Sequence, residues 1–346
     1  MKFGLFYEHQ LPQPWGEESE LRLYQQALDQ IELADRLGID YVWEVEHHFL
    51  EEYSHSSAPG VFLAACSQRT ERIRLGHGIT LMPPNYNHPA RVAERIATLD
   101  LVSNGRVEWG TGESATAVEM GGFGVEPDDK RAMWEEGTRE AANMLAMRPY
   151  PGFQGRWFDM PCRNFVPKAV QRPHPPMWVA CSRRETIHLA ARNGLGALTF
   201  LFLDPDQAAK WVEEYYSIIK SDECVPIGHR VNPTIAIVTA CPATRTSAKR
   251  SAAGWTVSAS SATRSAITRC LASIGPAVPT SGRAFCRSRT SYRTMPAAAA
   301  SAPPTSCARI WRATRRPAST RSCLSSRAAQ IAMSISASRW RSLPST

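Results

Sequence analysis

The chain has 346 residues, 43% hydrophobic and 21% charged, so it can bury one large core or two ordinary ones, and a fibrous or wholly disordered protein is excluded. Its net charge of +8 conceals a division: residues 1–240 carry 23 Lys and Arg with all 32 Asp and Glu, whereas residues 241–346 carry 17 basic residues and no acid. No apolar run is long enough to span a membrane, no leader pattern opens the chain, and nine Cys without a CxxC pair read as reduced thiols, so a soluble cytoplasmic protein with no metal site is expected.

Apolar periodicity sets out the elements in chain order. Residues 2–7 read as a strand. Residues 21–37 read as a helix, with Leu21, Ala27, Leu28, Ile31, Ala34 and Leu37 on one face and Gly38 to end it. A strand at 41–46, a helix at 58–69 and a strand at 73–81 follow. Next come a helix at 92–101, a turn at Ser103-Asn104-Gly105, a strand at 106–110 and a helix at 131–147. Residues 148–176 are rich in Pro and aromatics and read as irregular. A strand at 177–180, a helix at 185–193 stopped by Gly194, a strand at 197–203, a helix at 205–220 and a strand at 233–239 complete the series. This alternation predicts a parallel sheet, and seven strands in 240 residues fit a (β/α)8 TIM barrel that lacks its last unit.

In such a barrel the chemistry sits at the C-terminal ends of the strands. Glu46, His47 and His48 end the second strand, and an imidazole beside a carboxylate suits general acid/base work. Packing or capping is the alternative role. Adjacent residues point to opposite sides of a strand, so only one of the three can face the mouth. Neighbouring histidines do not readily ligate one ion, which weakens a metal reading. Gly110, Gly112 and Ala115 make a GxGxxA pattern, but no helix is expected to open at once, so glycines that permit a close backbone approach are the better account. Ser182, Arg183, Arg184 and Thr186 stand where the fifth strand meets its helix and could converge on an anion. The competing reading makes Ser182 an N-cap and the arginines solvated.

At these positions the sequence resembles the bacterial luciferase-like family of flavin-dependent monooxygenases. The likeness is carried by MKFGLFYEHQ at 1–10, DRLGIDYVWEVEHHF at 35–49, RIRLGHGITLMPP at 72–84, NHPARVAERIATLDLVSNGRVEWGTG at 87–112 and RPHPPMWVACS at 172–182. The resemblance implies a (β/α)8 barrel that takes reduced FMN from a separate flavin reductase and passes oxygen from O2 to a small organic substrate. A deazaflavin (F420) oxidoreductase is the neighbouring possibility, and homo- or heterodimers occur. By the same resemblance His47 falls on the active-site histidine, with Glu46 and His48 beside it. Gly78 and Ile79 fall on an unusual cis peptide beneath the flavin, and Thr186 falls on a phosphate-contacting hydroxyl with Arg183 near it. Glu113 stands where the luciferase subunit carries an arginine on the phosphate, so Arg183 or Arg184 is expected to compensate.

After residue 240 the composition changes. In the last 106 residues Leu, Ile, Val and Phe together number 11, too few to offset the entropy of ordering the segment. A shifted reading frame explains this: one alternative frame restores acids throughout, Trp255-Thr256 forcing an Asp and Ala332 to Ile335 permitting His-Glu-His. A basic nucleic-acid-binding arm is the rival reading, and it is disfavoured because the arginines are scattered singly with no aromatic platform. The expectation is a barrel over 1–240, a disordered basic tail over 241–346, no partner in nucleic acid or membrane, and a barrel that cannot close.

Overall fold

Strand and helix alternate from Lys2 to Ala240 in a computed structural model that describes residues 2–200, 205–240 and 331–336. The elements are β1 (Lys2–Tyr7), α1 (Ser19–Arg36), β2 (Tyr41–Glu44), α2 (Pro59–Arg69), β3 (Arg74–His77), β4 (Thr80–Leu81), α3 (Pro89–Val102), β5 (Val107–Gly112), α4 (Ala117–Phe123) and α5 (Lys130–Ala146). They continue with β6 (Phe153–Gln154), β7 (Asp159–Met160), β8 (Met177–Cys181), α6 (Arg184–Arg192), β9 (Gly196–Phe200), α7 (Pro205–Ile219), β10 (Ile235–Ala240) and β11 (Ile331–Ser336).

β1, β2, β3, β5, β8, β9 and β10 pair in parallel in that order, and β4 extends the wall beside β5. The eighth place is taken by β11, which runs antiparallel to both β1 and β10, Met333 pairing with Gly4 on one side and Val238 on the other. A closed ring removes both sheet edges. This corrects the expectation that the tail offers no strand. Ile331, Met333 and Ile335 alternate with Ala332, Ser334 and Ser336, a period-2 pattern that the polar average of the tail conceals. The rest of the tail lies outside the described residues.

Strand alternation divides the side chains between two cores. Outward residues such as Val42, Leu75, Val107, Trp109, Val179 and Ala197 pack against the helices. Inward residues, Phe6, Tyr41, Trp43, Val45, Trp178, Leu198, Ala236 and Val238, fill the barrel, with Ile79 and Phe200 half-buried at its upper edge. Trp43 and Trp178 meet edge to face at 5.2 Å. Low in the barrel Glu108 is paired with Arg74 and accepts from Trp178 Nε1 at 2.7 Å, so a buried carboxylate is balanced on both oxygens.

Some local expectations differ from what forms. Leu21 and Leu37 are exposed, and Ala27, Ile31, Ala34 and Asp35 make the buried stripe of α1. Asp35 explains its own burial, because its carboxylate accepts the amides of Glu71, Arg72 and Ile73 and so pins the entry to β3. The strand expected over 73–81 breaks at Gly78 and Ile79 into β3 and β4. α3 opens three residues early, with Pro89 in its first turn and His88 Nδ1 accepting the Ala90 amide. The irregular stretch before β8 contains the β6–β7 hairpin.

Candidate active site at the barrel mouth

Inward positions on β2 and beyond it run Tyr41, Trp43, Val45, His47; outward positions run Val42, Glu44, Glu46, His48. His47 is therefore the residue of the trio at the mouth. Glu46 turns away and is buried, where it accepts the Leu81 amide at 2.8 Å and Asn87 Nδ2 at 2.8 Å, fastening the end of β2 to β4. His48 Nε2 lies 3.4 Å from Glu46 Oε1, and its ring packs beside Phe123, Tyr86 and Phe49.

His47 has a carboxylate partner, and it is Glu119 of α4: Nδ1 lies 2.9 Å from Glu119 Oε1. The same oxygen accepts the His48 amide at 3.0 Å, and Oε2 accepts the hydroxyl of Thr116 at 2.6 Å. Burial alone would raise the Glu119 carboxyl, yet the His47, Thr116 and His48 contacts hold it below the usual range. An ionised Glu119 fixes the proton on Nδ1 of His47 and leaves Nε2 for the mouth. The pairing depends on a helix that sequence reasoning passed over because of Gly121 and Gly122. The available signal was Thr116-x-x-Glu119, a capping box, and the Thr116 hydroxyl indeed accepts the Glu119 amide.

The glycines form one wall. A Cβ on Gly110 would come within 2.0 Å of the His77 carbonyl, and one on Gly112 within 2.4 Å of Ile79 Cδ1. Their absence of side chains lets the β3–β4 segment cross β5, so the close approach is to the chain itself. The Gly78–Ile79 bond is trans, in correction of the cis expectation: the cis bonds among the described residues all precede proline, where the cis form costs far less than at a bond such as this one. Two non-glycine residues in the left-handed region, Phe49 at φ 64° and Ser114 at φ 78°, flank the opening.

At the β8–α6 junction the four candidates separate. Arg184 is committed to Glu214 of α7 through a two-pronged ion pair. The Thr186 hydroxyl is buried and closes the first turn, accepting the Arg183 amide at 3.2 Å and donating to the Arg183 carbonyl at 2.7 Å. Ser182 and Arg183 are exposed, and no ion pair occupies Arg183 among the described residues. Glu113 is neutralised by Arg131 of α5, whose guanidinium donates to both carboxylate oxygens at 2.7 and 3.0 Å, so compensation comes from a residue the sequence had not singled out. Buried beneath this junction, the Cys181 thiol is pushed up to about 12 by desolvation and stays protonated.

This mouth fits a flat ring carrying an anionic tail. Ile79, Phe200 and Val45 make an apolar floor, the glycines of β5 let the chain that carries Ile79 pack against that strand, and the α6 N-terminus presents Ser182 and Arg183. Among the described residues no cluster of three His, Cys, Asp or Glu could hold a metal, and no helix is long and apolar enough to cross a membrane.

The chain is 27% identical over 224 residues to the oxygenase component of flavin-dependent trigonelline monooxygenase from Acinetobacter baylyi, covering 63% of this chain and 59% of that protein. It is 38% identical over 121 residues to limonene 1,2-monooxygenase from Rhodococcus erythropolis, 35% of this chain and 30% of that one. The crystal structure of monooxygenase RslO1 from Streptomyces bottropensis superposes with a TM-score of 0.58 at 30% identity, covering 65% of this chain and 68% of the other. The chain spans about half the length of the curated relatives it matches, from 49% to 59% for the first three. The family model for luciferase-like monooxygenases matches residues 1–304, past the change in composition near residue 240, and the chain belongs to the luciferase-like monooxygenase family.

Proposed function

We propose that the protein is the oxygenase of a two-component flavin monooxygenase, working in the cytoplasm on a small organic substrate with O2 and reduced FMN supplied by a separate reductase. The observation that carries this reading is His47, aimed into an apolar barrel mouth with its Nδ1 held by Glu119, in a chain of this family.

Bound FMN would supply the redox chemistry that activates O2. The protein's own part is positional and electrostatic. Ile79, Phe200 and Val45 support a flat ring and keep water from one face of it. Ser182 and Arg183, at the N-terminus of α6, meet the phosphate, while Arg131 keeps Glu113 from repelling it. His47 Nε2 is placed to hold or release one proton at the reacting substrate, its tautomer fixed from behind by Glu119.

The test is oxygen uptake by the full chain, and by a version with the downstream reading frame restored, using FMN reduced by an unrelated reductase. Incorporation of one labelled oxygen atom into an aldehyde, alkane or sulfonate substrate is the expected outcome. Anaerobic turnover with reduced F420, and none with FMN and oxygen, would move the protein to the deazaflavin oxidoreductases.

A further inference from the structure

The mouth holds an ionisable group to which neither the motif reading nor the family resemblance gives a role. Along β1 the outward residues Leu5 and Tyr7 pack against the helix-side core, while Phe6 lies in the barrel, so Glu8 is the next inward position above Phe6. Register puts Tyr7 opposite Glu44, which sets Glu8 level with Val45 and one inward step below His47. Glu8 is half-buried. Its two oxygens accept from the Tyr53 hydroxyl at 2.8 Å and from Gln10 Nε2 at 3.0 Å. The Tyr53 ring in turn meets the His47 ring edge to face at 5.5 Å, so one tyrosine touches both groups.

No lysine or arginine pairs with Glu8 among the described residues. Its charged and titratable neighbours are His47, which attracts it, Glu44, which repels it, and Tyr53. Such a carboxyl, held by two neutral donors at an inward position of the barrel mouth, is placed to change protonation during a reaction. Glu119 has the opposite environment, ionised and enclosed by donors. Two carboxyls around one histidine are thus separated into a fixed partner and an exchanging one, the arrangement expected where acid and base roles are divided.

We propose that Glu8, and not Glu46, is the carboxyl that works beside His47, as the mouth's second proton-exchanging residue. In this step an O–H bond of the oxygenated substrate breaks, the proton forms an O–H bond on the Glu8 carboxylate, the electron pair stays on the substrate oxygen, and the proton passes from Glu8 to solvent as product leaves. The proposal rests on the monooxygenase reading for its substrate, but its first test does not.

Infrared titration of the full chain, with the Glu8→Gln spectrum subtracted, reads the Glu8 carboxyl directly. Burial raises this carboxyl, opposed by Tyr53, His47 and Gln10, so the difference should contain one protonated-carboxyl band that persists above the ordinary glutamate range. A difference showing only carboxylate throughout that range overturns the proposal. In the oxygen-uptake assay, Glu8→Gln should lose one limb of the pH profile of kcat/KM and at least about tenfold in kcat, while Glu8→Asp keeps the limb. Superimposable profiles for the native chain and Glu8→Gln would sink Glu8 and leave the flavin reading standing. The infrared band without oxygen uptake by any variant would support Glu8 and sink that reading.

Discussion

His47 and Glu119, 72 residues apart in sequence, share a 2.9 Å contact that joins the end of β2 to the first turn of α4. His47→Ala should lower turnover by roughly 10²- to 10⁴-fold with little change in FMN affinity. Glu119→Gln keeps the shape but frees the tautomer, and a smaller loss of about 10- to 100-fold is expected. If the two act through one another, the double variant will be no slower than His47→Ala alone. Additive losses in a steady-state kinetic cycle would show that Glu119 does not act through the histidine.

The two arginines at the start of α6 should behave differently. Arg184 spends its charge on Glu214, and Arg183 has no ion-pair partner among the described residues. Arg183→Ala is expected to weaken FMN binding by about tenfold and leave riboflavin, which lacks the phosphate, unaffected. Arg184→Ala should change neither. Equal effects of Arg183→Ala on both flavins, read by fluorescence quenching, would remove the phosphate from this helix end.

Glycines 110 and 121 offer a matched pair. Alanine at 110 would drive its Cβ into the His77 carbonyl 2.0 Å away, whereas nothing lies within 4 Å of a Cβ at 121. Gly110→Ala should cost about 3 kcal/mol or more. Gly121→Ala, inside α4, should gain about 0.5–1 kcal/mol. Denaturant midpoints decide both. A tolerated alanine at 110 would mean that β5 and the His77 segment do not cross so closely.

Acid should weaken the fold through two buried histidines. His174 is fully buried, its Nδ1 donating to the Pro175 carbonyl at 2.9 Å and its Nε2 accepting the His229 amide at 2.9 Å. A second proton would set N–H against N–H. Burial depresses this imidazole to about 4, and His77 likewise to about 4. Each folded value lies below the unfolded one of about 6.5, so stability is complete above pH 6.5 and is lost as pH falls toward 4, at up to about 1.4 kcal/mol per pH unit per histidine. Urea midpoints at pH 7 and pH 5 should show this fall, and a shallower one in His174→Phe. Parallel falls in both proteins would clear His174 of the effect.

Much of the barrel was legible because each βα unit announces itself with an apolar run and a stop signal, as Gly38 and Gly194 do with φ of 83° and 64°. The choice among Glu46, His47 and His48 was legible only as a rule. The identity of the inward residue needed the register that Trp43 and Val45 establish. Glu119 was hidden because two glycines outweighed a capping signal. Arg131 was hidden because its importance lies in Glu113, a partner 18 residues away that only the packing of α5 brings near. Glu8 was hidden in a strand that reads as purely structural. β11 was missed for a different reason, since composition averages over a window and a six-residue strand is shorter than the window.

Gly76, Gly78, Gly110 and Gly112 all occupy inward positions, and a Cβ at Gly76 would strike Trp43 at 2.3 Å. The upper barrel is therefore lopsided, one arc of its wall being bare main chain and the strands on either side of it, β1, β2 and β9, carrying Glu8, His47 and Phe200. Substitution acts differently on the two arcs. The bare arc tolerates almost none, because any side chain there collides with the protein itself, so what it contributes to a bound molecule is constant across sequence change. The clothed arc can exchange residues without disturbing the strand crossings, so new preferences for substrate can accumulate there while the seat for a common ring is kept.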